Sequence, residues 1–165
     1  MDTTLGTNIF IVDSNWRLVT SLKEFLQRRF GPSVHISTFT DGESCLKQVD
    51  EKLHIVILNY LLKGKNGVEI MKSIKAINPE TEVIMMSENE DVAKAIESFK
   101  GGATDFVVKG DRSWKRIMDR VNFIITAPVR LMVREFSISK FLAIFLLAFA
   151  SVGIVVLLVL LFIKW

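Results

Sequence analysis

Five short apolar runs alternate with longer amphipathic segments over the first three quarters of the chain. Each longer segment carries its apolar residues at helical spacing. This alternation is typical of a parallel sheet with helices on both faces, so we predict an α/β fold. The predicted strands are Asn8–Val12, Val34–Phe39, Ile55–Leu58, Glu82–Met86 and Asp105–Val108. The predicted helices are Asn15–Arg29, Asp41–Glu51, Gly67–Ile77, Glu90–Lys100 and Arg112–Ile125.

Polar side chains follow four of the predicted strands. In open parallel sheets the working site lies beyond the carboxyl ends of the strands. Those ends hold Asp13-Ser14, Asn59, Ser87-Glu88 and Lys109. Although they are far apart in sequence, we expect these residues to meet in one crevice.

Four motifs at these strand ends resemble the receiver domain of bacterial response regulators, over about residues 7–126. They are Ile9–Asp13, Leu58–Gly67, Val83–Ser87 and Gly102–Lys109. Each motif alone is weak, but four in this order and spacing are specific. The resemblance implies a five-stranded, flavodoxin-like parallel sheet with helices on both faces.

The resemblance also assigns roles to the crevice residues. Active relatives have two acidic residues where this chain has Asp13 and Ser14, and a phosphoaccepting aspartate where it has Asn59. They have a hydroxyl residue at Ser87 and a lysine at Lys109. Two further departures lie beside these positions. Glu88 replaces a small residue, and Gly110 replaces the proline that usually follows the lysine.

The departures predict a receiver that has lost its chemistry. An amide oxygen is a weak nucleophile, and Asn59 supplies no charge for a divalent cation. Only Asp13 remains of the three negative charges that relatives supply. We therefore expect no enzymatic activity, no bound metal and no cofactor.

Lys109 and Phe106 need separate interpretations. An unpaired lysine in the crevice would be costly, so we expect Lys109 to pair with Asp13 or Glu88. The alternative is that Ser87 and Lys109 still take part in a switch. Phe106 stands where relatives carry the aromatic residue that moves on activation, and here we expect it to be part of the core.

The segment Phe141–Ile163 contains 23 residues and no charge, and 18 of them are Leu, Ile, Val or Phe. As a helix it would extend about 34 Å, enough to cross a hydrocarbon core of about 30 Å. We predict a transmembrane helix over 141–163. Three basic residues precede it and only Lys164 lies beyond it, which predicts a single-pass tail anchor in a bacterial inner membrane with the domain in the cytoplasm.

The remaining chain divides into a receiver-like domain, 1–127, and a juxtamembrane segment, 128–140. The receiver-like domain carries 17 basic and 17 acidic residues, so the basic excess of the chain lies beside the predicted membrane helix. Because the domain itself has no net charge, we expect no nucleic-acid binding. The juxtamembrane segment mixes apolar and basic residues. It either lies along the inner leaflet or extends the anchor helix.

Two surfaces are candidates for protein partners, which we expect to be membrane-associated. In relatives the fourth helix, the fifth strand and the fifth helix form the usual docking face. Its charged residues here are Asp91, Lys94, Glu97, Asp105, Arg112, Arg116 and Arg120. In the predicted membrane helix, the small residues Ala148, Ala150, Ser151 and Gly153 would allow another helix, including one in an oligomer, to approach closely.

The sequence thus supports a membrane-anchored pseudo-receiver that regulates or binds a partner without phosphorylation. The alternative is a structural subunit of a secretion or motility complex, held chiefly by its transmembrane helix.

Overall fold

The computed structural model describes residues 6–63 and 65–126, together with residues 145 and 147–149. The chain divides into two compact units, Met1–Ile124 and Ile125–Trp165. The first contains the sheet and the crevice. In the second, the described residues 145 and 147–149 are helical.

The structure contains all five predicted strands and all five predicted helices. In chain order the elements are β1 (Thr7–Val12), α1 (Trp16–Phe30), a 3-10 turn (Gly31–Ser33), β2 (Val34–Phe39), α2 (Gly42–Leu46), β3 (Leu53–Asn59), β4 (Leu61–Leu62), β5 (Lys65–Asn66), α3 (Gly67–Ile77), β6 (Glu82–Ser87), α4 (Val92–Lys100), β7 (Asp105–Val108) and α5 (113–126).

The main sheet has the order β2-β1-β3-β6-β7, and all its neighbouring strands pair in parallel. The strand order reverses direction beside β1. Because parallel crossovers are right-handed, this reversal places helices on both faces of the sheet. The predicted five-stranded flavodoxin-like fold is confirmed.

Alternate residues of each central strand face opposite sides of the sheet. Phe10 and Val12 of β1 belong to one apolar cluster, which includes Ile70 and Met71 of α3. Ile9 and Ile11, which alternate with them, are fully buried as well. The central strands are therefore covered on both faces, as the near-continuous apolar runs predict.

One local expectation is wrong, and one pair of strands has no counterpart among the predictions. The predicted helix Asp41–Glu51 ends at Leu46, because Gln48 and Val49 donate to carbonyls only three residues back and the chain then turns towards β3. The antiparallel pair β4–β5 was not predicted, since two-residue strands carry no periodicity.

Among the described residues, no helix is long and apolar enough to span a bilayer. The predicted juxtamembrane segment 128–140 lies outside the described residues, and so does most of the predicted span 141–163. Ala148 is described as helical, whereas Ala150, Ser151 and Gly153 are not described. The membrane helix and its packing residues stay predictions.

Candidate functional site

The carboxyl ends of β1, β3, β6 and β7 converge at one edge of the sheet. The pairing register sets Val12 beside Leu58 and Asn59 beside Met86, so Asp13 and Asn59 emerge next to each other. Lys109 is joined to the end of β6 by a hydrogen bond from its backbone N–H to the Ser87 carbonyl, at 2.8 Å. The structure thus brings the predicted crevice residues together.

Lys109 bridges two carboxylates in this crevice. Its Nζ lies 2.6 Å from Asp13 Oδ2 and 2.5 Å from Glu88 Oε1. The Asp13 side chain is 1% exposed and that of Lys109 11%, whereas that of Glu88 is 66% exposed. The pair with Asp13 is therefore the buried one, and Glu88 covers it from the solvent side. The expected ion pairing of Lys109 is confirmed.

Both oxygens of Asp13 are engaged. Oδ1 accepts a hydrogen bond from the Asn15 backbone N–H at 2.9 Å, and Oδ2 accepts from Lys109. Asn15 in turn caps the N-terminus of α1, accepting from the N–H groups of Arg17 and Leu18. The Asp13 carboxylate is thus hydrogen-bonded to the residue that caps α1.

The resemblance to receiver domains implies a Mg²⁺ ion at this edge, and the residues present do not fit one. Mg²⁺ requires near-octahedral oxygen ligands, usually including carboxylates. Asp13 already holds an ammonium group, and Asn59 and Ser14 are neutral. Within the described part of the chain, no cluster of three or more His, Cys, Asp or Glu residues could hold a metal ion.

Asn59 is 5% exposed and ends β3. Its Nδ2 donates to the Leu61 carbonyl at 2.8 Å, which fixes the orientation of the amide. Its Oδ1 is buried and has no hydrogen-bond partner. The Asn59 amide is therefore anchored through its NH2 group, while its uncharged oxygen has no donor.

Gly67 explains why the chain can turn so closely after Asn59. A Cβ at Gly67 would lie 2.4 Å from the Asn59 carbonyl oxygen, and the Gly67 N–H donates to the Tyr60 carbonyl at 2.8 Å. Asn66 caps α3 from the preceding position. Gly67, the last residue of the motif Leu58–Gly67, therefore allows this close turn.

The other predicted crevice residues take simple positions. Ser87 is 4% exposed, and its Oγ accepts weakly from the Asn89 N–H at 3.4 Å. Ser14 is half-buried at the bend after Asp13. Phe106 is 8% exposed and belongs to the apolar cluster, so its assignment to the core is confirmed.

Tyr60 links the crevice to α4, a contact that no sequence pattern indicates. The Tyr60 hydroxyl donates to Glu97 Oε2 at 2.5 Å, although the residues are 37 positions apart. Lys94 lies over the Tyr60 ring, 5.5 Å from its centroid. The hydrogen bond with Glu97 is the main cause that raises the pKa of Tyr60 above its ordinary value.

Most charges on the predicted docking face are engaged within the domain. Asp91 caps α4 and pairs with Lys94 at 3.3 Å, and the hydrogen bond from the Lys94 N–H is the main cause that lowers the pKa of Asp91. Arg120 pairs with Asp105 at 3.0 Å. The other two engaged residues are Glu97, which accepts from Tyr60, and Arg116, which donates to the Phe106 carbonyl at 3.4 Å. Arg112 is exposed at the turn before α5.

A five-stranded parallel sheet with a polar crevice at its carboxyl edge defines a flavodoxin-like α/β domain. Residues 9–122 match the response regulator receiver domain family. The chain therefore belongs to that family, whose members are regulatory modules that interact with proteins such as kinases and effectors.

Individual relatives match over the same region. The chemotaxis protein CheY of Thermotoga maritima is 30% identical over 105 residues, which cover 64% of this chain and 87% of CheY. The transcriptional regulatory protein ZraR of Escherichia coli K12 is 29% identical over 103 residues, or 62% of this chain. The match covers 23% of ZraR, so the chain spans less than a quarter of that protein.

Solved structures agree with the fold. The BeF3-activated receiver domain of DrrB, a Thermotoga maritima protein, is 29% identical with a TM-score of 0.65, and the match covers 73% of this chain and 97% of that one. A receiver domain from Vibrio parahaemolyticus gives a TM-score of 0.67 at 21% identity, covering 78% of this chain and 98% of that chain. The second likeness concerns the fold alone.

Proposed function

We propose that this protein is a membrane-anchored pseudo-receiver that binds a protein partner without being phosphorylated. The observation that carries the proposal is the Lys109 ion pair with Asp13, 2.6 Å long, beside an asparagine at the acceptor position. An ammonium group neutralises the buried Asp13 carboxylate, and the neighbouring Asn59 side chain is a poor nucleophile. The domain is a regulatory or docking module and not an enzyme.

The chemistry of the crevice supports this proposal. Phosphoryl transfer is catalysed largely by positioning and by metal ions that neutralise charge on the transferring group. Lys109 is engaged by two carboxylates, and Ser14 removes one ligand of the metal that relatives use. Restoring the acceptor alone would therefore leave the metal poorly held.

Treatment with acetyl phosphate and Mg²⁺, followed by intact-mass spectrometry, tests this part of the proposal. The wild-type chain should gain no phosphoryl group, and Asn59→Asp should gain little. Asn59→Asp combined with Ser14→Asp restores both missing carboxylates and should gain more. The response regulator of Burkholderia pseudomallei whose solved structure carries a phosphorylated aspartic acid serves as the reagent control. A phosphorylated wild-type chain would refute the loss of phosphoacceptance.

The uncharged segment 141–163 supports anchoring in the bacterial inner membrane, with the domain in the cytoplasm. Leu, Ile, Val and Phe each favour insertion by about 0.3–0.6 kcal/mol near the bilayer centre. The chain should therefore sediment with membranes through a high-salt wash, whereas truncation after Ala127 should release a folded, soluble domain. If the truncated protein still sediments after the wash, residues 141–163 are not the sole anchor.

A further inference from the structure

The exposed face of α4 includes an apolar stripe, whereas an ordinary surface helix turns its large apolar side chains towards the core. Val92, Ile96 and Phe99 recur at spacings of four and three residues, so they form one stripe. They are 71%, 49% and 50% exposed. The helix contacts the domain through small side chains instead: Ser98 is its one buried residue, and Ala95 packs against the core. Contiguous exposed apolar side chains of this kind mark interaction surfaces.

A groove runs between this stripe and α3. It has a volume of about 510 Å³, and Ala93 and Ile96 provide its apolar lining. Lys72 and Lys100, both exposed, line it as well. Glu97 is the acidic residue of the lining, and its carboxylate is already hydrogen-bonded to Tyr60. The groove therefore combines apolar surface with a positive rim.

We propose that the groove between α3 and α4 binds an amphipathic helix of a partner protein that carries Asp or Glu beside its apolar side chains. The proposal rests on the proposed function and names its surface and the chemistry of its partner. An apolar helix face would cover Ile96 and its neighbours, as in other helix-in-groove complexes. Acidic side chains on that helix would meet Lys72 and Lys100.

The same features disfavour two other occupants. A second copy of the chain meeting this surface symmetrically would bring two positive rims together, because a two-fold interface pairs each patch with itself. A bilayer surface is flat, and lipid recognition by electrostatic attraction usually takes four to eight clustered basic residues. This groove is concave and offers two lysines.

Site-specific photocrosslinking in the full-length, membrane-bound chain tests the proposal. The photoreactive residue p-benzoylphenylalanine replaces Ile96. The crosslinking is carried out in cells of the organism that encodes the protein. Ile77 at the end of α3 is the matched control position, because it is 48% exposed and lies outside the groove. Ile96 should crosslink to a segment of another protein that has an acidic amphipathic helical pattern, and Ile77 should not.

Charge reversal supplies the second arm of the experiment. Lys72→Glu with Lys100→Glu should lower the crosslinking yield at Ile96 by at least about fivefold, because the rim would repel an acidic helix. Lys115→Glu, which reverses an exposed lysine on α5, should leave the yield unchanged. Circular dichroism of each variant should match the wild type, since all three lysines are exposed.

The crosslinking results distinguish failure of the proposed groove from failure of the proposed docking function. A crosslink from Ile96 to a second copy, to lipid or to a basic segment would overturn it, as would a yield insensitive to Lys72 and Lys100. If a partner crosslinks from a probe at Arg112 but not at Ile96, the groove is wrong while the docking function stands. If neither position crosslinks and no protein co-purifies, the proposed function itself fails.

Discussion

At the scale of single residues, Lys109 lies between two carboxylates of very different exposure. Asp13 is almost fully buried, so its charge depends on the ammonium group for compensation. Glu88 is largely hydrated, and its pairing with Lys109 contributes little to stability. Lys109 therefore supplies the counter-ion of the buried Asp13 carboxylate.

Lys109→Met should destabilise the fold by about 3 kcal/mol, because it leaves the buried Asp13 carboxylate without a counter-ion. Glu88→Gln should cost less than about 1 kcal/mol, since its partner keeps Asp13. Urea unfolding of the receiver domain measures both, with Lys115→Met as the surface control. Equal costs for the Lys109 and Glu88 variants would mean that the buried pair does not stabilise the crevice.

Cys45 should be unreactive in the folded protein. The residue is fully buried, and desolvation raises the pKa of its thiol from the ordinary 9.0 to about 12. At pH 8 the nucleophilic thiolate is therefore scarce, and alkylation by iodoacetamide should proceed only as fast as the domain unfolds. In the unfolded chain the Cys45 thiol deprotonates near pH 9, whereas in the folded protein it stays protonated until about pH 12. The contribution of the buried thiol to stability is therefore present below pH 9 and is lost as the pH rises towards 12. Rapid native-state alkylation at pH 8 would contradict this account.

At the scale of elements, α4 is the helix that presents an apolar surface to solvent. Its apolar stripe points to solvent, and the Tyr60–Glu97 hydrogen bond ties its middle to the chain directly after Asn59. Asp91 fixes its first turn through the backbone N–H groups of Ala93 and Lys94. These contacts hold α4 in place although it buries little of its own apolar surface.

Tyr60→Phe should loosen α4 without unfolding the domain. The variant removes the hydrogen bond to Glu97, whose carboxylate water can then solvate. We therefore expect the free energy of unfolding to fall by about 1 kcal/mol. Hydrogen exchange followed by mass spectrometry should show amides of α4 exchanging about fivefold faster, with α3 unchanged. Ser73→Ala, which removes an exposed hydrogen bond within α3, is the control. Unchanged exchange in α4 would show that Tyr60 does not hold the helix.

The helices also show what periodicity can and cannot predict. The apolar positions of α4 follow helical spacing, and they correctly predict a helix over these residues. The spacing does not say which side faces the sheet, because Ser98 and Ala95 can pack closely where larger side chains would not fit. Similarly, Asp41 correctly marks the start of α2, but nothing in the apolar pattern marks its early end at Leu46.

At the scale of the whole molecule, the sheet and its crevice could be predicted from the sequence, because buried parallel strands read as continuous apolar runs and their carboxyl ends must share one edge. The Lys109 ion pair followed from the cost of an unpaired buried charge. The Tyr60–Glu97 contact could not be predicted in this way, since it joins side chains 37 residues apart whose meeting depends on how α4 is rotated.

For the whole molecule, we predict that partner binding does not require phosphorylation. The most direct measurement is quantitative mass spectrometry of proteins that co-purify with the full chain from detergent-solubilised membranes, with and without acetyl phosphate and Mg²⁺. We predict the same partner in the same amount under both conditions. A partner that is captured only after treatment with the phosphodonor would contradict the account.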